Sequence, residues 1–447
     1  MTYKDAGVDI SNAESLKEHI NTCTLSTHNK DVLIKPGLFG GAIRLNTYGI
    51  KNAVFSGRII KSNIENDFFS FGKKLASAIQ FDENNIAFLD YISTDRLEIS
   101  RIKDLISGIS EELKQSGIPL IGGETAEMPG IFKTGKWEIV GASFSLEKSQ
   151  DDSVISSYKK PVGVFSIDGV GTKTMIGVAV KSISGLVEDI ISHSKNDIVC
   201  QGARALGMLF YIGCFDKSSV QGIENVIREC CSNHKVSPLD ILIYEDKECY
   251  ANNQIDICGS VAGIVEEDEI IMGKDINCGD IAVALPSNGL HTNGYSLARK
   301  ALFEMGGFSY EDRVGDDTIA ELLLRPHIDY SEEILKIRKI LGRELKGVAH
   351  ITGGGLIGNI QRILPEEVSL EINKKWRVPE IFEIIRKAGN IPLHDPINKG
   401  MYESFNMGIG IVMIVSEKEV ERLMNLCKNA FLLGKIVKRK KERVIFI

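Results

Sequence analysis

Asp168, Gly169, Gly171, Thr172 and Lys173 sit together in the short stretch DGVGTK. Glycines let backbone N–H groups turn toward an anion, and a lysine adds compact positive charge. The aspartate suits a divalent cation that bridges phosphate oxygens. The G-x-x-x-x-G-K-[ST] spacing of a Walker loop is absent, and a plain acidic turn is the bland alternative. Further on, NDIVCQGA (Asn196 to Ala203) offers a second carboxylate, Asp197, with Asn196 read as the cap of a helix that starts there. GGETAEMPG supplies Gly122, Gly123, Glu124 and Thr125 in what reads as a loop. That stretch precedes DGVGTK, although a phosphate loop ordinarily comes first.

Two further stretches could hold a substrate. SNGLHTNGYS sets Asn288, His291, Thr292 and Asn293 around two glycines, a density of polar groups suited to a sugar phosphate. HITGGG sets His350 before Gly353 and Gly354, where backbone admits a ligand closely. A lone histidine is more often structural than catalytic, so His291 and His350 stay open between the two roles.

Composition excludes several classes. Among 447 residues the net charge is −7, which argues against nucleic-acid binding through a basic surface. KIVKRKKER near the C-terminus reads as a solvated edge. No long apolar run predicts a membrane span, and the first residues are polar and acidic, unlike a leader. Nine scattered cysteines without a CxxC pair read as reduced thiols in a cytoplasm.

The elements that must position these residues show a duplication. AVFSG (Ala53 to Gly57) matches GVFSI (Gly163 to Ile167), and LDYIS (Leu89 to Ser93) matches LFYIG (Leu209 to Gly213). IKDLISGI (Ile102 to Ile109) matches IENVIREC (Ile223 to Cys230), and EIVGASFSLEK (Glu138 to Lys148) matches DICGSVAGIVE (Asp256 to Glu266). Each match is weak; their shared order marks a repeat. Each copy reads as strand, helix, strand, helix, strand, with a polar linker, Ser149 to Lys160, between them. A third unit of alternating strands and helices starts near Gly279.

Taken together, the chain resembles the phosphoribosylformylglycinamidine cyclo-ligase (AIR synthetase) family. The resemblance rests on YKDAGVDI (Tyr3 to Ile10), GLFGGAIRL (Gly37 to Leu45), GGETAEMPG, DGVGTK, NDIVCQGA, SNGLHTNGYSLARK, LLLRPHIDY, HITGGG, AGNIP and YESFNMGIG, the last adding Asn406. It implies a mixed α/β fold, ATP and Mg²⁺, and closure of an imidazole ring on formylglycinamidine ribonucleotide. Other readings are a small-molecule kinase of the same superfamily or a non-catalytic homologue. By resemblance, ATP would meet Gly122, Gly123, Glu124, Thr125, Asp168, Gly169, Gly171, Thr172 and Lys173. Asp168 and Asp197 would hold the metal. Asn288, Thr292, Asn293, Gly353, Gly354 and Asn406 would meet the substrate, and Lys173, His291 and His350 would serve catalysis. Arg325-Pro326-His327 departs from the Pro-Thr-Arg type more usual there.

The family has one N-terminal domain and pairs two chains; this sequence carries two copies. The expected organisation is residues 1–150 (arm and first, partly degenerate N domain), 161–272 (second N domain) and 279–447 (substrate-binding C-terminal domain). Copy 1 keeps GGETAEMPG but has FSGRIIKSNIE where DGVGTK would stand. Copy 2 keeps DGVGTK but has IYEDKECYANN where GGETAEMPG would stand. The losses are complementary. They imply an internal pseudo-dimer barrel with one composite nucleotide site, in a monomer or weak homodimer, and they explain the reversed motif order.

Overall fold

The computed structural model describes residues 10–34, 36–45, 52–62, 67–82, 84–150, 153–373, 375–395 and 400–447. Most of YKDAGVDI lies outside the described residues. Helix α1 (Ile10–Thr27) and strand β1 (Gly41–Arg44) precede the first copy, which contains β2 (Ala53–Ser62), α2 (Phe68–Ser77), β3 (Asn85–Thr94), α3 (Ile99–Ser116), β4 (Leu120–Glu127) and β5 (Trp137–Lys148). The second contains β6 (Pro161–Gly169), α4 (Lys173–Ala179), α5 (Ser184–Val199), β7 (Arg204–Cys214), α6 (Ile223–Asn233), β8 (Ser237–Glu245) and β9 (Ile255–Glu266). The copies share one strand order: β2-β5-β3-β4 in the first, and β6-β9-β7-β8 in the second, where β1 adds an edge strand beside β6.

Each copy thus has four strands, not the three expected. The extra strand of copy 1 is the GGETAE stretch itself, β4, read from sequence as a loop. Two glycines and two glutamates give it little strand propensity, but parallel pairing with β3 overrides that. The connecting helices follow local rules. Helix α3 buries Ile102, Leu105, Ile106, Ile109 and Leu113 at helical spacing and ends on Gly117 in the left-handed region. Helix α2 starts on Asp67, whose carboxylate accepts from the N–H groups of Phe69 and Ser70. These helices cover the outer face of the first sheet, and α5 and α6 cover that of the second.

The inner faces of the two sheets pack on each other. Phe55, Ile59, Val140 and Phe144 from one meet Phe165, Leu209, Tyr211 and Cys258 from the other. Phe165 stacks edge-on to Phe55, with ring centroids 5.5 Å apart. Full burial of such a side chain contributes roughly 1.5–3 kcal/mol. Strand edges meet reciprocally, β2 beside β8 and β4 beside β6. Two buried hydrogen bonds cross between the sheets in the same reciprocal sense. Tyr91 of copy 1 donates to Asp256 of copy 2 at 2.9 Å, and Tyr211 of copy 2 donates to Glu138 of copy 1. Tyr91 and Tyr211 are repeat equivalents, as are Glu138 and Asp256.

Pairing registers correct one sequence match. Ile60 pairs with Gly141, and Asp168 pairs with Gly259. Tyr91 and Tyr211 fix Gly141 and Gly259 as equivalents, because Asp90 and Phe210, the residues before them, pair with those glycines. Ile60 therefore occupies the position of Asp168, and the AVFSG/GVFSI match is displaced by two residues. A two-residue slip preserves the inside–outside alternation, so the pattern alone could not detect it. By the same logic Leu242 of β8 stands where Glu124 stands on β4.

The third unit is built on a six-stranded sheet. Its members are β10 (Ile281–Pro286), β13 (Leu345–His350), β14 (Val368–Ile372), β15 (Ile409–Val415), β16 (Phe431–Lys438) and β17 (Val444–Phe446). Their order is β13-β15-β10-β16-β14-β17. A small hairpin, β11 (Arg313–Val314) and β12 (Asp317–Thr318), lies outside that sheet. Helices α7 (Tyr295–Arg299), α8 (Ile319–Leu324), α9 (Ser331–Leu341) and α10 (Gly355–Ile363) complete what the site needs. No helix among the described residues is long and apolar enough to cross a membrane.

The crossing hydrogen bonds predict matched stability losses. Tyr91→Phe and Tyr211→Phe should each destabilise by about 1–3 kcal/mol, the cost of leaving a buried acceptor short of its donor. Denaturant unfolding checks this; two variants as stable as the parent would show that these bonds do not hold the sheets together.

Candidate active site

The site is built where β4 of copy 1, β6 of copy 2, helix α5 and the third unit meet. Strand β6 ends at Asp168-Gly169, and the chain turns through Gly171 at φ +67° into α4. A β-carbon on Gly169 would lie 2.6 Å from the Tyr91 hydroxyl oxygen, so the turn can approach the first copy only as glycine. Asp168 is 25% exposed; its Oδ1 accepts from the Gly169 N–H at 2.6 Å, and its Oδ2 lies 3.0 Å from His193 Nε2.

Helix α5 carries Asp189, His193 and Asp197 at four-residue spacing, hence on one face. All three are buried against the third unit. Asn196 and Asp197 lie near the end of α5, not at a helix start as expected. Asn196 is no cap: its amide donates to Ile328 O, and its Oδ1 accepts from Tyr330 N. The reason is that α5 continues unbroken through NDIV, its polar face satisfied by the third unit instead of by water. Asp197 Oδ1 is hydrogen-bonded with His350 Nδ1 at 2.8 Å, and its Oδ2 accepts from Ser166 at 3.2 Å.

Charge is concentrated here. Burial, then the Asp168 carboxylate, pushes Glu124 up to about 8, with Arg362 and His193 opposing. Burial would lower His193, but Asp168 and Asp197 outweigh it and raise the imidazole to about 9. Burial would likewise raise Asp197; the His193 charge and the His350 hydrogen bond hold it below the usual carboxylate range. The electrostatics thus couple Glu124 from copy 1 with Asp168 and Asp197 from copy 2. Gly122, Gly123 and Thr125 lie on the same strand as Glu124.

Several expected roles change. Lys173 is fully buried, paired with Asp189 at 2.7 Å, and donates to the carbonyls of His291 and Arg325 at 3.0 Å each. An ammonium has three donors, and all are used. It ties copy 2 to the third unit rather than facing phosphates. Thr172 likewise is hydrogen-bonded with Ser296 of α7 at 3.1 Å. Asn406 is buried: its Oδ1 accepts from Ser287 and from the Gly408 N–H, and its amide donates to Gly289 O. It braces the SNGLHTNG loop, with Oδ1 engaged twice and one of its two amide N–H groups used within the protein. His291 and His350 are buried behind the cleft, at 1% and 0% exposure. Thr292 is buried too and hydrogen-bonded with His193 Nδ1 at 2.7 Å.

Other expected residues do line open space. Gly353 is exposed and Gly354 half-buried. Asn293 Oδ1 would lie 3.1 Å from a β-carbon on Gly353, so the two glycine-rich loops adjoin. Asn288 donates to Pro326 O, while its buried Oδ1 has no partner. Sequence reading missed His193 and Arg362, and marked His327 only as part of Arg325-Pro326-His327, with no role assigned. The HxxxD spacing of His193 and Asp197 on one helix face was a legible signal; Arg362 carried none. Arg362 is exposed at the end of α10, over the Phe39 ring and near Glu124 and Asp197.

The pseudo-symmetric position at the other end of the interface is closed. Lys61 lies over the Tyr244 ring, with its Nζ 2.9 Å from Asp246 and 3.5 Å from Glu138. Tyr250 also donates to Glu138, and Met128, Ile131 and Phe132 pack around it.

The chain matches the family model described as AIR synthase related protein, N-terminal domain, over residues 83–141 and 149–265. The model described as AIR synthase related protein, C-terminal domain, matches residues 277–447. Phosphoribosylformylglycinamidine cyclo-ligase of Caldanaerobacter subterraneus subsp. tengcongensis is 41% identical over 295 residues, 63% of this chain and 84% of that protein. The protein of the same name from Geotalea daltonii is 36% identical over 343 residues, 73% of this chain and 94% of that protein. Among solved structures, E. coli HypE, a hydrogenase maturation protein, is 14% identical with a TM-score of 0.47, over 67% of this chain and 87% of that chain.

Lys173 separates a structural tie from a phosphate contact. Lys173→Met should destabilise by about 3–5 kcal/mol, because Asp189 is left buried and unpaired. Lys173→Met with Asp189→Leu should recover most of that loss in denaturant unfolding. A single variant of normal stability with a raised KM for ATP would return Lys173 to the phosphates.

Proposed function

The chain belongs to the AIR synthase-related family, and on that premise we propose that it converts formylglycinamidine ribonucleotide to aminoimidazole ribonucleotide, with ATP giving ADP and phosphate. The observation that carries the reading is the packing of β4 of copy 1, which bears Glu124, beside β6 of copy 2, which ends at Asp168, with Gly169 in close approach to Tyr91. Neither copy owns a whole site, and the pairing within one chain supplies it.

In this reading the triphosphate lies between the Asp168 turn and β4. The backbone of the Gly171 turn would face it from one side, and Gly122, Gly123 and Thr125 from the other. Arg362 takes the part expected of Lys173, as an exposed cation close to the carboxylates. Asp168 and Asp197 fit Mg²⁺, since they are oxygen donors in a place with excess negative charge, which the raised Glu124 reports. When bound, the ion would neutralise phosphate charge.

The acceptor lies toward the third unit. Asn288 and Asn293 stand beside Gly353 and Gly354, and the unpartnered Asn288 Oδ1 suits a substrate N–H or hydroxyl. The formyl oxygen takes the γ-phosphoryl group as the bond to ADP breaks. The amidine nitrogen then attacks the activated carbon, phosphate leaves, and a proton is lost. Positioning two charged reactants in line accounts for most of such catalysis. A chain that completes its own site can act as a monomer or a weak homodimer. Cytoplasmic location belongs to the proposal and is supported by nine cysteines, all unpaired.

Phosphate release from ATP should depend on formylglycinamidine ribonucleotide and yield the aminoimidazole product. Asp168→Asn should lower turnover by roughly 10²-fold or more, the scale of lost transition-state charge stabilisation. A stable phosphorylated acceptor with no ring closure would mark a kinase and overturn the proposal.

A further inference from the structure

The SNGLHTNG loop and the Asp168 turn belong to different units, yet one buried path of polar groups joins them. Asn293, half-buried beside Gly353, donates from its amide to the Thr292 hydroxyl at 3.1 Å. The Thr292 oxygen is hydrogen-bonded with His193 Nδ1 at 2.7 Å. On the other side of the ring, His193 Nε2 lies 3.0 Å from Asp168 Oδ2 and 3.5 Å from Asp197 Oδ2. Thr292 and His193 are buried, while Asn293 and Asp168 are partly exposed. The path is therefore closed to water in its middle and open at both ends.

From this geometry we infer that His193 is a positioning residue that couples the two halves of the site: given the acceptor and nucleotide positions proposed for this chain, filling the acceptor loop at Asn293 tightens the nucleotide and its ion at Asp168. No atom of His193 needs to touch either reactant. Its part is to pass a displacement of the loop to a carboxylate that does.

The ring is placed so that it can move. Two carboxylates flank Nε2, yet that nitrogen makes no aligned hydrogen bond to either. A bare lone pair there would repel both carboxylates, so Nε2 carries its hydrogen, and that hydrogen is committed to neither oxygen. A buried donor without an aligned acceptor is costly, so a small turn of the ring toward one oxygen is favoured whenever its other end permits. That other end is set by Thr292. The hydroxyl is closer to His193 than to its second histidine neighbour, His327, which stands 3.4 Å away.

The two carboxylates differ in what else holds them. Asp197 is anchored by His350 and Ser166. Asp168 has, besides His193, only the N–H of the adjacent Gly169. Asp168 is thus the one that the ring can shift. At the loop end, Asn293 Oδ1 is the atom nearest Gly353, facing the neighbouring glycine-rich loop. A ligand hydroxyl or N–H donating to that oxygen polarises the amide and strengthens its own donation to Thr292, because hydrogen bonds in a chain reinforce one another. The groups that orient a carboxylate control how well it holds an ion.

Calorimetry on the full chain tests this, with a non-hydrolysable ATP analogue and Mg²⁺ titrated with and without formylglycinamidine ribonucleotide. The ribonucleotide should tighten the analogue by ~5-fold or more, and the analogue should tighten the ribonucleotide by the same factor. His193→Asn keeps a polar atom near Nδ1 and loses its reach to Asp168. His193→Gln keeps one near Nε2 and loses Thr292. Both should lose the gain, and so should Thr292→Val, which keeps His193 and the carboxylates and serves if the histidine variants do not fold. A side chain that only supports the fold would change stability or the separate affinities and leave the gain intact. Equal analogue affinity with and without the ribonucleotide in the parent, or an undiminished gain in the variants, would overturn the coupling and leave the proposed reaction standing. A ribonucleotide that does not bind at all would overturn that reaction and the coupling with it.

Discussion

The Tyr91 hydroxyl reaches across from the first sheet to Asp256 of the second, and the site inherits its geometry from that crossing. The same tyrosine oxygen is the atom on which a β-carbon at Gly169 would collide. It therefore sets how close the Asp168 turn comes to copy 1. One strand away in register, Tyr91 pairs with Glu124 itself. Sheet packing, turn position and carboxylate position are thus fixed by one buried contact. The apolar face between the sheets supplies the driving force, and the reciprocal tyrosine bonds supply the alignment.

Helix α5 translates that alignment to the third unit. Its outer apolar residues belong to the core of the second sheet, and its polar face is used up by partners from the third unit. Lys173 reinforces the same joint from α4. The carboxylates kept free of these ties are few. Asp168 is the partly exposed one; burial and then the Asp168 charge raise Glu124, while Arg362 and His193 offset them. A site with surplus negative charge and nearby cations is suited to a charged nucleotide and its counter-ion.

Much of this was legible in the sequence, and the misses have physical causes. Ordered matches such as LDYIS with LFYIG exposed the repeat, and Tyr91 and Tyr211 proved to be true equivalents. The strand β4 was hidden because glycines and glutamates dominate it, and only pairing with β3 makes it a strand. The two-residue slip in β2 was invisible because alternation survives it. Lys173 and Asn406 look like ligand contacts in linear motifs, yet distant segments take all three donors of Lys173 and hold Asn406 through Ser287 and Gly289. Arg362 shows the converse: no local pattern marks it, and His327, marked only within Arg325-Pro326-His327, gains its neighbours only where the third unit docks on α5. Complementary motif loss pointed to a single composite site, and the registers place Ile60 and Leu242 where Asp168 and Glu124 stand in the other copy.

The central claim is that two half-sites within one chain make one nucleotide site, while the other pair has been closed by Lys61, Glu138 and Asp246. Calorimetric titration of the full chain with a non-hydrolysable ATP analogue and Mg²⁺ measures this directly. The account predicts one nucleotide per chain. Two equivalent nucleotides per chain would contradict it.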